Sequence, residues 1–374
     1  MEKIISILKK LVSINSAYPN EKELANYLFN FFKIRKYKVV KQNVEKDRYN
    51  IIVEKGKGKG KGTIGLYAHL DTVDTTNLDW DKNPFDLMIN GDKAFGLGAF
   101  DMKGGIVANI LSFLEYQPKN ITLRLFFVVD EENISKGGFK LLKSRLIKDV
   151  SCLISTEPAF KYGNQGIVIG RPGRAVFELL IKTSPVHYAL YDEKKDPIYF
   201  FNLFLNKLKK LNKKAYQKKQ FLFIKNIETK VSGMSTISEI KAEIDSCILP
   251  PEDNQSILNK LNFILTQINK KFNFDYEIKI KKRETPYLNG YELNKNNQYV
   301  KKMIKAIKNV TKKNPVPYFR SSIADENIFG FHKIPVLGIG PIGGNAHAPN
   351  EWVSLKSILT LKEIIINFLK KNDF

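Results

Sequence analysis

Tyr67-Ala68-His69-Leu70-Asp71-Thr72-Val73 is the stretch that decides the fold. It closes an apolar run that begins at Thr63, and its histidine and aspartate fall where that run stops. A short, continuous apolar run bounded by polar residues reads as a strand buried on both faces, over residues 63–68. In open α/β sheets, ligands bind outside the carboxyl ends of such strands. Residues two apart in a strand point the same way. His69 can therefore bind a cation through one ring nitrogen while Asp71 accepts a hydrogen bond from the other, which would fix the tautomer. A loop histidine with a chance acidic neighbour is the competing reading of the pair taken alone.

Working outward, strands and helices alternate. Residues 2–15 and 21–35 read as helices, and 38–44 and 50–54 as strands. A helix is expected from about 103 to 116, an apolar strand at 121–129, a helix at 137–144 and a short buried strand at 152–155. This alternation predicts an α/β sheet with helices on both faces. The character changes near Gly170-Arg171-Pro172-Gly173. Strands at 174–182, 221–227, 239–248 and 274–282, with helices at 197–212 and 254–271, describe a small α+β unit of the usual insert size. A helix at 300–312, a buried strand at 336–340 and a closing helix at 355–370 resume the first pattern. One discontinuous domain interrupted by an inserted one follows, in keeping with 374 residues, more than one core usually holds.

The N-terminal lysines interleave with apolar residues at helical spacing, which describes an amphipathic helix rather than a signal peptide. No apolar run approaches the roughly 20 residues needed to span a bilayer. Two cysteines, Cys152 and Cys247, give no disulfide framework and point to a reducing cytoplasm. The net charge of +23 invites a nucleic-acid reading, but the lysines are spread over the whole chain with no binding signature among them, so no specific nucleic acid is expected. The repeat Lys55-Gly56-Lys57-Gly58-Lys59-Gly60-Lys61-Gly62 lacks phosphate-loop spacing and reads as a flexible hairpin tip.

Four further pieces carry chemistry. Asp101 lies in Gly96-Leu97-Gly98-Ala99-Phe100-Asp101-Met102-Lys103-Gly104-Gly105, ahead of a helix. It reads as a helix N-cap or as a ligand. Its glycine flanks favour the ligand, and two carboxylate oxygens suit a bridge between two cations. Asp130-Glu131-Glu132 ends an apolar strand, where adjacent acids repel unless a cation compensates them. Glu157-Pro158 follows the strand at 152–155, and His347 sits in Ala346-His347-Ala348-Pro349-Asn350-Glu351 after another. Mixed nitrogen and oxygen donors suit zinc, with cobalt or manganese as substitutes.

Taken together and in this order, these motifs resemble the metallopeptidase family that includes acetylornithine deacetylase, succinyl-diaminopimelate desuccinylase and glutamate-type carboxypeptidases. The resemblance implies a zinc-peptidase-like catalytic domain, a mixed central sheet flanked by helices, over residues 1–172 and 286–374. It implies a lid and dimerisation domain inserted at 173–285, and hence a homodimer. His69 and Glu157 would hold one zinc, Glu132 and His347 the other, and Asp101 would bridge them. Asp71 would orient His69, and Glu131 would be the general base. His187 would serve the substrate's oxyanion, although Thr183 stands where the family has glycine. Arg174 would reach a substrate carboxylate or brace a hinge. Ser235 and Cys247 replace the family's carboxylate-binding Asn and Arg, and a thiol cannot replace a guanidinium, so either Arg320 or another cation anchors the substrate, or the substrate lacks a carboxylate there. The implied activity is metal-dependent cleavage of the amide of an N-acyl amino acid, with dipeptidase or carboxypeptidase action as the alternative. A non-enzymatic binding protein on this fold would have lost ligands or Glu131, and none is lost.

Overall fold

The computed structural model describes residues 1–56, 62–75, 79–215 and 218–373. The expected hairpin tip therefore lies largely outside the described residues. The chain forms two compact units, one of residues 1–169, 293–318 and 328–374, the other of residues 170–292 and 319–327.

The first unit is built on a mixed sheet. Its strands run Lys38–Glu45, Arg48–Lys55, Thr122–Val128, Thr63–His69, Val150–Ser155, Val336–Gly338 and Gly166–Arg171 in spatial order. The middle four are parallel to one another, and the flanking strands are antiparallel. Thr63–His69 is buried along its whole length, as a strand covered on both faces must be. The register sets His69 opposite Val128, and Tyr67 opposite Ser155. The C-terminal ends of the parallel strands consequently open side by side, where the expected site residues follow them.

Helices close over this sheet. In Glu2–Val12 the buried residues Ile4, Leu8, Leu11 and Val12 recur at helical spacing and form one apolar stripe. Gly104–Glu115 is buried from Gly104 to Phe113, the mark of a helix with no solvent face. Its Asn109 Nδ2 donates to Tyr67 O (3.3 Å) and Thr156 Oγ1 (2.9 Å), which ties two strand ends together. Leu355–Lys370 matches its expected bounds. The helix expected from 103 starts at Gly104, because Ala99–Lys103 is a wide turn in which Asp101 (φ −116°, ψ 92°) leaves helical geometry. A small sheet of Met88–Asn90, Lys93–Phe95, Trp352–Ser354 and Gly343–Gly344 was not legible in the sequence. Its strands are of two or three residues, too short to show a period.

The second unit is an antiparallel sheet ordered Lys213–Ala215, Lys218–Lys230, Glu239–Cys247, Val176–Lys182 and Asp275–Ile280. Helices Pro197–Leu208 and Asn254–Phe272 share one apolar core with it, in which Phe200 stacks on Phe274 at 4.4 Å.

Candidate metal centre

His69 ends its strand and is 1% exposed. Its Nε2 lies 3.2 Å from Asp101 Oδ1 and 3.3 Å from Glu157 Oε1. His347 Nε2 lies 2.9 Å from Glu132 Oε1 and 3.4 Å from Asp101 Oδ2. Asp101 thus turns one oxygen to each histidine. Its carboxylate caps no helix, since Gly104–Glu115 has no side-chain cap. Donor atoms of Glu131, His69 and Glu157 lie within 4.8 Å of one another, as do those of His69, Asp101 and Glu132. Glu131 and Glu132 are not on a strand. The strand stops at Val128, and Asp130, at φ 75°, turns the chain. The two glutamates face different partners because of that turn rather than through strand alternation.

Asp71 is placed otherwise than the strand spacing suggested. The nearest acceptor for His69 Nδ1 is the Asp71 main-chain oxygen at 2.9 Å, with carboxylate Oδ1 at 3.7 Å. The carboxylate Oδ2 instead accepts the Glu132 N–H at 2.8 Å. Residue 71 has left the strand, so strict alternation no longer aims its side chain. Asp71 fixes the ring through its backbone and the Glu132 loop through its side chain.

The electrostatics are those of anions awaiting a cation. Burial would lower the His69 pKa, yet hydrogen bonds to Asp101 and Glu157 raise it well above the usual value. Hydrogen bonds to Asp101 and Glu132 push His347 up to about 10. Burial raises Asp71 to about 7, helped by Glu21 and Glu132 and opposed by His69. The donor set fits divalent ions in spacing as well. Ligands at about 2.0–2.1 Å in a tetrahedral shell sit roughly 3.3 Å apart, close to the 3.2, 3.3 and 3.4 Å found around His69, Asp101 and His347, with His347 and Glu132 closer at 2.9 Å.

The other expected residues lie in the second unit. His187 is exposed, its ring 4.6 Å from that of Tyr188 and its Nδ1 3.4 Å from Ala189 N. Arg174 directs Nε and NH2 to the two oxygens of Asp245, at 3.0 and 2.7 Å, the geometry of a brace. Arg320 is half-buried, and its N–H donates to Gly170 O at 2.9 Å.

Four residues of the first unit were missed. Arg48 holds Glu21 through two nitrogens (2.9 and 2.5 Å) and Asp130 Oδ1 at 2.8 Å. Asp130 Oδ2 also accepts the Lys136 N–H at 2.9 Å, so this buried trio anchors the loop bearing Glu131 and Glu132. The fourth, Glu351, accepts three main-chain N–H groups of the Asp101 loop. Asp130 and Glu351 stand beside the motif residues, but only the fold shows their partners.

With this geometry the comparisons with known proteins agree. The chain belongs to the peptidase family M20/M25/M40, whose model matches residues 65–371. The resemblance seen in the motifs is borne out. A probable succinyl-diaminopimelate desuccinylase of Staphylococcus aureus is 30% identical over 216 residues, 55% of this chain and 52% of the relative, so the chain spans about half that relative's length. The succinyl-diaminopimelate desuccinylase of Wigglesworthia glossinidia brevipalpis is 24% identical over 381 residues, 98% of each chain. Among solved structures, aminopeptidase PepT of Bacillus cereus superposes with a TM-score of 0.81 at 16% identity, covering 99% of this chain and 98% of that one. The Bacillus subtilis YXEP protein, a dinuclear metal binding peptidase, gives 0.74 at 16% identity over 98% and 97%. At these identities the structures establish the fold, a mixed α/β sheet with its helices.

Proposed function

We propose that this protein is a dinuclear metal-dependent amidohydrolase that removes the acyl group of a small N-acyl amino acid. The observation that carries the reading is Asp101, whose two oxygens each face a different histidine. His69, Glu157 and one Asp101 oxygen form one donor set; His347, Glu132 and the other oxygen form the second. Bound there, a zinc pair supplies a water acidic enough to ionise near neutral pH and a Lewis acid for the carbonyl. Glu131, beside the first set, takes the proton of the attacking water and delivers it to the leaving nitrogen. Asp71 holds the His69 ring and the Glu132 loop in place. The desuccinylase relatives support an acyl substrate. The second reading is a dipeptidase or carboxypeptidase of the same peptidase family.

Zinc is the proposed native metal, and the cytoplasm the proposed location, in keeping with two free cysteines. No helix among the described residues is long and apolar enough to cross a membrane. A homodimer through the second unit is proposed as well. Beyond its short pairing with Lys213–Ala215, strand Lys218–Lys230 is a sheet edge, and Phe221, Phe223 and Ile227 on it are exposed. A monomer with full activity in light scattering contradicts that part. The role implied for His187 stands if His187→Ala lowers kcat and falls if kcat is unchanged.

The test of the main reading is metal content per chain, followed by turnover of N-acyl amino acids and dipeptides with Glu131→Ala as control. Hydrolysis abolished in the control supports the mechanism, and undiminished hydrolysis overturns it.

A further inference from the structure

We infer that Glu351 is a positioning residue of the metal centre, holding the Asp101 loop and the His347 loop in register through main-chain amides. This rests on the metal-dependent reading above. Oε2 accepts the Gly98 N–H at 2.7 Å, and Oε1 those of Phe100 and Asp101, both at 2.8 Å. The Glu351 carbonyl accepts the Gly96 N–H at 3.0 Å. The side chain is 2% exposed.

The turn needs such a partner. Asp101 departs from helical geometry, so the amides around it have no regular acceptor, and buried N–H groups must find one. A glutamate side chain has the acceptor capacity to take all three amides at once. Gly98, at φ 71°, lets the chain fold around it, and a Cβ there would press on Thr72 Cγ2 and Lys103 Cδ.

Glu351 also lies four residues after His347 and directly before strand Trp352–Ser354, which pairs with Lys93–Phe95 just ahead of the Asp101 loop. One residue thus joins the two loops whose side chains meet at Asp101 Oδ2 and His347 Nε2. Its carboxylate oxygens bond main-chain amides, including that of Asp101, so it acts through the loops and is not a ligand.

The molecule supplies its own comparator. Asp373 likewise accepts three main-chain N–H groups, of Lys119 (2.7 Å), Asn120 (2.5 Å) and Ile121 (3.0 Å), plus the Tyr116 hydroxyl (2.5 Å). None of those residues belongs to the centre. The experiment compares wild type, Glu351→Gln, Glu351→Asp and Asp373→Asn as full chains. Each is stripped by chelation and titrated with Zn²⁺ against a chromophoric competitor, with circular dichroism and Tm followed in parallel.

Wild type is expected to take up two equivalents. Glu351→Gln, which turns an amide NH2 toward N–H donors, is expected to bind zinc about 10–100-fold more weakly while folded, the usual loss when a partner of a metal ligand is removed. Glu351→Asp should fall between the two and carries the test if the Gln variant does not fold. Asp373→Asn should lower Tm with metal affinity unchanged. The activity lost by Glu351→Gln should return in excess zinc with KM unaltered. A wild type that binds no zinc overturns the metal reading itself. A wild type with two zinc ions beside a Glu351→Gln protein of equal affinity overturns the positioning role, as does an equal loss of affinity in Asp373→Asn.

Discussion

Replacing Arg48 with methionine should unfold the catalytic loop before it touches any catalytic atom. Arg48 is 5% exposed, and its partners Glu21 and Asp130 are both 0% exposed. Methionine fills much of the same volume but leaves two buried carboxylates without their cation. Removing one member of a buried ionic group typically costs about 3–5 kcal/mol, most of it the uncompensated charge left behind. At about 2–4 °C per kcal/mol for a unit of this size, Tm should fall by roughly 6–20 °C. Asp130 also accepts the Lys136 N–H, so the loop carrying Glu131 and Glu132 should loosen and zinc affinity should fall with Tm. The triple variant Glu21→Gln, Arg48→Met, Asp130→Asn removes the charges together and should recover most of the stability. Scanning calorimetry of the metal-free proteins reads the first effect, and a zinc titration reads the second. A drop in Tm under about 2 °C for Arg48→Met would refute the reasoning, because the trio would then be exchanging freely with water.

Glu252 gives a pH test in the second unit. Burial would raise its pKa, but hydrogen bonds from Lys213, Lys260 and Gln220 outweigh that and hold it at about 2, against an ordinary 4.5. Because the folded pKa is the lower one, the contribution is full above about pH 4.5 and is lost as pH falls toward 2, amounting to about 1–2 kcal/mol after allowance for the half-exposed lysines. Glu252→Gln should therefore shrink the difference in stability between pH 7 and pH 3, measured by urea denaturation. Gly340→Ala should displace Glu157, since a Cβ at 340 would overlap the Glu157 carbonyl oxygen; loss of zinc affinity with the sheet intact by circular dichroism is the expected result. Chelation should lower Tm by about 5–10 °C relative to protein in free zinc at 100 times Kd, as roughly 2.7 kcal/mol of linkage is withdrawn; an unchanged Tm would speak against metal bound in the native state.

The central sheet and the five side chains that cluster at its strand ends were legible because both leave period and chemistry in the sequence. Buried parallel strands read as continuous apolar runs, and a histidine or carboxylate at the end of each breaks the run at a countable place. The alternation of residues 69 and 71 predicted the right pair and the wrong atom, since residue 71 no longer follows strand geometry and its carbonyl, not its carboxylate, meets the ring. Glu351 and Asp130 were quoted beside His347 and Glu131 without a role, because a clamp on main-chain amides depends on which loop the fold brings near. Arg48 and Glu21 lie 27 residues apart, and no motif or spacing in the sequence joins them. Arg174 was read as a substrate contact or a hinge brace; its fork is matched by Asp245, a partner 71 residues away that no spacing in the sequence points to.

The most direct test is an anomalous diffraction map from crystals grown with zinc. Two peaks about 3.5–4 Å apart are expected, one bounded by His69 and Glu157, the other by His347 and Glu132, with an Asp101 oxygen on each. A single peak, or peaks that His69 and His347 do not share across Asp101, would contradict the account.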